Sequence, residues 1–428
     1  MQCLTKRLEV LTVALLVFGS WRPIRPATTL CCYSAPMPPV MYLAWQYRPP
    51  RIERPLQPGA PVLSVVDFGA AGDGRTDDTI AIQAAINAIP ATGGTVLLPK
   101  PGAYLLSRTL TVVGQSQLTI ECDPGTLIIA ADSTFDMLTT DRNSPYFTTL
   151  GCVWQGVSVG EETRAAIRIY APYANVHDSV FTRINAGVSI QDGGAWYGRI
   201  IDNWFIGIQG VTSGNGYATV TIGKYTIISR NHFINTGRHD VYIAGNYASH
   251  GGGANYSTVS DNESDGNLTA AISLYATATE AQLDHVSVHN NVVRNCANGI
   301  ILTQQVSESQ IHDNKFYNCS KTAIWLNGST AANTFPTKNV VSLNLIDNCG
   351  PGTDSITVSN SIANVVALNT IQNGHTGVGI RIAGAPAADP INNVVRNNKI
   401  FDTTTAVFMN APLLATTLVS GNVIAPNP

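Results

Sequence analysis

The sequence predicts an all-β protein: a single-stranded parallel β-helix closed at its N-terminal end by one amphipathic α-helix. Three observations carry this. From Asn203 to Asn422 the chain repeats, with Asn203, Asn231, Asn262, Asn291, Asn314, Asn344, Asn369, Asn398 and Asn422 each set among short apolar runs at spacings of 23 to 31 residues, the period of a solenoid. Within each period Val, Ile, Thr and aromatic residues form runs of three to five broken by Gly, Asn and Asp. These are strands, three to a period, and none of the runs suits a helical repeat. Upstream of the repeats one stretch has helical periodicity, where a solenoid requires a cap over its open sheet edge.

The repeating Asn has a physical task. Stacked at ~4.8 Å per coil, it passes amide hydrogen bonds along the axis, each with a net value of ~1 kcal/mol. Cys296, Cys319 and Cys349 follow a second Asn in their coils and read as a column of small buried residues rather than as disulfide partners or metal ligands.

The composition bounds the rest. With 428 residues, 44% hydrophobic, 12% charged and a net charge of −3, the chain lacks the basic patch of a nucleic-acid binder. Eight Cys over this length are not a disulfide framework. Lys6 and Arg7 precede the apolar run Val10–Phe18, so residues 1–21 are expected to be a secretory signal peptide, too short for a membrane span. A secreted or cell-surface location follows from that expectation. Residues 22–61 hold ten of the 23 Pro and read as a Pro-rich arm or linker; a start codon set too far upstream is the alternative. The β-helix domain is expected over residues 62–428.

Val62 to Tyr104 reads VLSVVDFGAAGDGRTDDTIAIQAAINAIPATGGTVLLPKPGAY. Val65–Phe68 is expected as a strand and Gly72-Asp73-Gly74 as a tight turn. Thr76, Asp77 and Asp78 offer an N-cap, Ile82, Ala85, Ile86 and Ile89 share one helical face, and Pro90 with Gly93-Gly94 ends the helix. This run resembles the opening signature of the pectate-lyase-like superfamily with rhamnogalacturonase and epimerase members, which includes phage tailspike depolymerases. The resemblance implies a right-handed parallel β-helix acting on polysaccharide, and it implies no single reaction. Asp73, Asp77 and Asp78 are read as cap residues rather than catalytic carboxylates.

Registering the later coils on the Asn column sets one strand of each at Asp240–Ala244, Ala271–Tyr275, Gly299–Thr303, Ala323–Leu326 and Gly379–Ala383. Alternation then sends Val241, Ile243, Ile272, Leu274, Ile324, Leu326, Ile380 and Ile382 inward. Tyr242, Ser273, Trp325 and Arg381 go outward, with Arg168 and Gln209 from earlier coils. Loops of variable length, Gly210–Lys224, Asn246–Tyr256, Ala276–Asp284 and Gly328–Asn339, are expected to wall this face and make a groove for an extended sugar chain.

Glycoside hydrolysis needs two carboxylates at ~5–9.5 Å, whereas elimination needs a base for a sugar proton and a cation for the uronate carboxylate. The richest cluster is Arg238-His239-Asp240. Asp240 with Glu280 or Asp265 suits hydrolysis, and His239 or His285 with Arg238 suits elimination. Arg238, Tyr242, Asp284, His285, Trp325 and Arg381 are candidate substrate-binding residues. The bland alternative for Asp240 is that it ties a turn. The Asp-Pro-His-Glu motif of mannuronan epimerases and the Asn-Thr-Asp, Gly-His-Gly and Arg-Ile-Lys motifs of polygalacturonases are missing from the sequence. The expectation is therefore an extracellular polysaccharide-degrading enzyme, hydrolase ahead of lyase; a non-catalytic adhesin or the shaft of a homotrimeric spike is the alternative. No cofactor is expected, and Ca2+ would need a set of carboxylates on one ion that the sequence does not display.

Overall fold

A computed structural model describes residues 59–100, 102–157, 164–192, 194–209, 216–247, 253–277, 280–384, 392–409 and 417–425. The expected signal peptide and almost all of the Pro-rich arm lie outside the described residues. Each turn of chain adds one strand to each of three parallel sheets. Sheet A holds fourteen described strands from Val62–Ser64 to Leu418–Ser420, sheet B fourteen from Asp73–Asp77 to Val423–Ala425, and sheet C twelve from Leu110–Val112 to Thr403–Met409. The chain passes from sheet C to A to B and back to C. This is the predicted parallel β-helix.

The coils stay in register because like side chains stack on like inside. In sheet C, Val241, Ile272, Ile300, Ile324, Ile356 and Ile380 are successive partners, and all are at most 3% exposed. A slip of one residue would turn every one of them to solvent.

Three corners are sewn separately. Between sheets A and B a residue of positive φ precedes the column Asn, as Arg230 (55°) precedes Asn231. Each Asn Oδ1 accepts both the backbone N–H and the Nδ2 of the Asn one coil earlier: Asn262 Oδ1 lies 2.9 and 3.0 Å from Asn231 N and Nδ2. The chain of bonds runs without a break from Asn203 to Asn422. A second Asn ladder, not foreseen, sews the corner between sheets C and A through Asn339, Asn364 and Asn393. The third corner, between sheets B and C, corrects the sequence reading: Cys296 and Cys319 are disulfide-bonded, with Cα atoms 4.6 Å apart, while Cys349 alone of the column is a buried free thiol. Cys122 and Cys152 form a second disulfide across 5.0 Å. Equivalent positions in adjacent coils fall within the Cα separation that a disulfide spans, so a column of stacked Cys is also a set of possible disulfide partners.

At the N-terminal end the α-helix Thr79–Ala88 buries Ala81, Ile82, Ala85 and Ile86 against the first coils, as its periodicity predicts. Val65–Phe68 is a turn of 3-10 helix rather than a strand: Ser64 caps it through Val66 N–H, and Gly69, at φ 91°, closes it. The three carboxylates of the signature are consumed locally. Asp73 accepts from Arg75 and Thr76 N–H, Asp77 from Thr79 N–H and Ser107 Oγ, and Asp78 from Ala71 N–H.

Candidate functional site

Register defines the outer face of sheet C residue by residue. One outward column runs Thr111, Thr139, Arg168, Ser189, Val220, Tyr242, Ser273, Ile301, Trp325, Thr357, Arg381 and Phe408. Tyr242, Ser273, Trp325, Arg381 and Arg168 stand where alternation put them. Gln209 does not, because the strand of its coil is Tyr217–Thr221, which puts Val220 in the column. For the same reason Gly210–Lys224 is not a single wall loop: it encloses that strand.

The head of the strand His239–Ala244 carries the densest group on this face. The His239 ring lies 5.5 Å from the Tyr242 ring and 5.6 Å from that of Tyr217. Tyr217 meets Tyr242 edge to face at 5.4 Å, Tyr275 flanks Tyr242 at 5.7 Å, and the Arg238 guanidinium sits 5.1 Å over the Tyr217 ring. His239 Nδ1 is 2.9 Å from the Ala270 carbonyl. A carbonyl only accepts, so Nδ1 carries the proton and the neutral ring keeps its lone pair on Nε2. Burial pushes the imidazole pKa down to about 4; the Ala270 bond pulls the other way, and the Arg238 charge adds to the fall.

Asp240 faces the interior. Only 2% exposed, it accepts from Ser264 Oγ and, at 3.3 Å, from Asn267 Nδ2. The reason is a pairing of columns inside the helix. At this level of sheet C the other coils carry Gly187, Ala218, Ala271, Gly299 and Ala323; across from them sheet B presents Phe205, Phe233, Val293, Phe316 and Ile346. A Cβ on Gly187 would come within 2.6 Å of the Phe205 ring, and one on Gly299 within 2.5 Å of Phe316. In the coil of Asp240 the large residue is replaced by Ser264, and the carboxyl occupies the space. Burial pushes its pKa up to about 6, against the hydrogen bonds from Ser264 and Asn267. This is neither a carboxylate presented to substrate nor one that ties a turn through backbone N–H groups: its bonds go to side chains inside the helix.

The remaining candidates separate. Asp265 is exposed on the outer side of sheet B, where Asn295 Nδ2 meets it at 2.7 Å, because alternation turns Ser264 inward and its neighbour outward. Glu280 pairs through its backbone with Tyr247 in a short antiparallel ribbon beside sheet C; its side chain lies outside the described residues. Asp284 and His285 belong to the turn between sheets C and A, with Nδ1 3.0 Å from Asp284 Oδ1 and Nε2 3.3 Å from Glu308 Oε2. Trp325 and Arg381 do lie on the sheet C face: Trp325 Nε1 donates to Ser359 Oγ at 2.9 Å, and Arg381 Nε to Asp354 at 2.7 Å. Among the described residues no group of three or more His, Cys, Asp or Glu converges to hold a metal, and no helix is long and apolar enough to cross a membrane.

Sequence reasoning passed over Tyr217 and Tyr275, and over the three Asp–Arg pairs at sheet C: Asp136 with Arg168, Asp192 with Arg142 and Asp354 with Arg381. It also passed over a ladder at the turn before sheet A, where Tyr146, Tyr173, Tyr197, Tyr225, Tyr256 and His285 stack ring on ring at 4.7–5.3 Å. Its signal was present, since these tyrosines recur with the period of the Asn column.

A model of the family described as rhamnogalacturonase A/epimerase, pectate lyase-like, matches residues 62–324, well over half of the chain. The chain belongs to this family. A right handed beta helix region matches residues 287–428, giving the hand of the pectate lyase-like coil. Alginate lyase 7 of Azotobacter vinelandii is 64% identical over 45 residues, 10% of this chain and 5% of that protein. The chain thus spans a small part of the curated relatives it matches. Two solved structures share the fold. The catalytic unit of a GH87 α-1,3-glucanase from Streptomyces thermodiastaticus aligns with TM-score 0.54 and 14% identity, over 87% of this chain and 69% of that one. The Dettilon tailspike protein aligns with TM-score 0.52 and 16% identity, over 83% and 70%.

Proposed function

We propose that this pectate lyase-like chain binds an acidic polysaccharide along the outer face of sheet C and cleaves it by β-elimination, His239 taking the proton and Arg238 meeting the uronate carboxylate. The observation that carries the reading is the neutral His239 ring, its Nδ1 held by Ala270 and its sides flanked by Tyr217 and Tyr242, with Arg238 adjacent. In such a reaction Nε2 accepts the C5 proton, the C–H electrons become a C4–C5 double bond, and the glycosidic oxygen leaves with a proton from the Tyr242 hydroxyl or water. A substrate carboxylate beside Arg238 offsets the cation's field and makes the imidazole more basic. Elimination moves ahead of hydrolysis because the Asp240 carboxyl is bonded inside to Ser264 and Asn267, Asp265 faces another sheet, and Asp136, Asp192 and Asp354 are each ion-paired. His239, itself 5% exposed, needs the rings beside it to shift before a sugar proton can reach it. The name of alginate lyase 7 agrees with this chemistry.

The test is incubation of the protein with alginate, pectate, hyaluronate and neutral glucans, following reducing ends and absorbance at about 235 nm together. Both signals should rise on a uronate polymer, and His239→Gln should abolish both. Reducing ends without absorbance would replace elimination with hydrolysis.

A further inference from the structure

Aromatic residues in the outer column of sheet C are spaced by whole coils. Tyr242, Trp325 and Phe408 stand three coils apart each time, with Ser273 and Ile301 between the first two and Thr357 and Arg381 between the last two. At ~4.8 Å per coil that is ~14 Å between rings, roughly three pyranose units of an extended chain at about 5 Å each. Each ring is held. Tyr242 packs beside His239 and Tyr275. Trp325 is tied through Nε1 to Ser359, which lies in the next coil. Phe408 carries the Arg381 guanidinium at 4.6 Å, and that guanidinium is fixed in turn by Asp354. Rings whose rotamers are already set lose little entropy on stacking against a ligand.

We infer that this column is a polysaccharide track with three platforms, on which Trp325 and Phe408 bind sugar rings distant from His239. The track takes a segment of about six sugar residues or more, since the outer platforms lie ~29 Å apart. The inference rests on sheet C as the polysaccharide face, and not on the reaction assigned to His239.

The test uses the full chain carrying His239→Gln, so that nothing is consumed. It is run by affinity electrophoresis through gels containing alginate, pectate, hyaluronate or a neutral glucan. At least one polymer should retard it, and adding Trp325→Ala should weaken that retention about tenfold. Trp325→Phe should recover part of the loss, and Tyr197→Ala, on another turn, should change nothing. Calorimetry with size-graded fragments of the retarding polymer should show the Trp325→Ala loss for fragments of about six units and longer, but not for dimers. Thermal melts of both Trp325 variants separate lost contact from lost fold. Retardation by none of the polymers, unchanged binding of Trp325→Ala, or an equal loss for dimers would each overturn the track. Retention with this length dependence in a protein that cleaves nothing would overturn the elimination reading alone.

Discussion

Two rows of aromatic rings run along the outside of this β-helix, and they are built on opposite plans. At the turn before sheet A the rings occupy consecutive coils, from Tyr146 to His285, nearly parallel at 4–20°, on residues whose φ is 55–63°. On sheet C the column carries a ring in every third coil, at Tyr242, Trp325 and Phe408, with Ser273, Ile301, Thr357 and Arg381 between. Rings stacked on each other spend their faces inside the protein and show only edges to solvent. Rings set three coils apart do not fill one another's faces. Repetition of like on like therefore marks a column that holds the fold, and departure from repetition marks a column with another task.

The largest effects should separate the two plans. His239→Gln should lower cleavage by about 10²- to 10⁴-fold while moving the unfolding free energy at neutral pH little, because the ring already sits there uncharged. Asn262→Ala should do the reverse. Its Oδ1 accepts two bonds from Asn231, and its Nδ2 donates to Ile228 O and Asn291 Oδ1, so truncation strands several buried groups at roughly 1–3 kcal/mol each before relaxation. A destabilisation of roughly 3–5 kcal/mol in denaturant melts is expected, with turnover per folded molecule unchanged. Loss of turnover without loss of stability in Asn262→Ala would dissolve the distinction.

The next effect sharpens it at a single pair of residues. Asp240, inside, has its pKa raised by burial to about 6; its folded state therefore holds a proton that the unfolded chain releases, and stability falls as pH rises from about 4 to 6. His239, beside it, has its pKa lowered by burial to about 4. Here the unfolded chain binds the extra proton, so stability rises over about pH 4 to 6.5. Each amounts to about 3 kcal/mol over its window, and the two oppose. Relative to wild type, stability should rise more steeply with pH over about 4–6 in Asp240→Asn and less steeply, or fall, in His239→Gln. Parallel slopes in the two variants would refute the burial of one group or the other.

How much of this was legible in the sequence follows from the same contrast. The Asn ladder, the inward Ile and Val columns, the cap helix and the outward positions of Tyr242, Trp325 and Arg381 all follow from period and alternation. What failed was what stacking alone decides. The column of Cys296, Cys319 and Cys349 was legible, but not that Cys296 and Cys319, 4.6 Å apart at Cα, are bonded while Cys349 stays a thiol. Asp240 looked like a surface carboxylate because its partner Ser264 is informative only against the Phe205, Phe233 and Phe316 column, and that column exists only after registering another sheet. Val65–Phe68 has strand composition, but Ser64 and Gly69 cap it as a 3-10 turn, a case of local capping overriding β-propensity.

The smallest effect tests whether the tyrosine ladder is cohesive or merely tolerated. Tyr197 stacks on Tyr173 at 5.2 Å and on Tyr225 at 4.8 Å, and each such pair contributes about 0.5–1.5 kcal/mol beyond area burial. The same residue holds φ at 60°, which costs a non-glycine residue about 1–2 kcal/mol. Tyr197→Ala keeps that cost and loses both stacks, so it should destabilise by about 1–3 kcal/mol. Tyr197→Gly loses the stacks but relieves the backbone, and should fall between Ala and wild type in thermal melts. A glycine variant more stable than wild type would mean that the stacks offset less than the strain they accompany. The ladder would then be a consequence of the turn and not one of its supports.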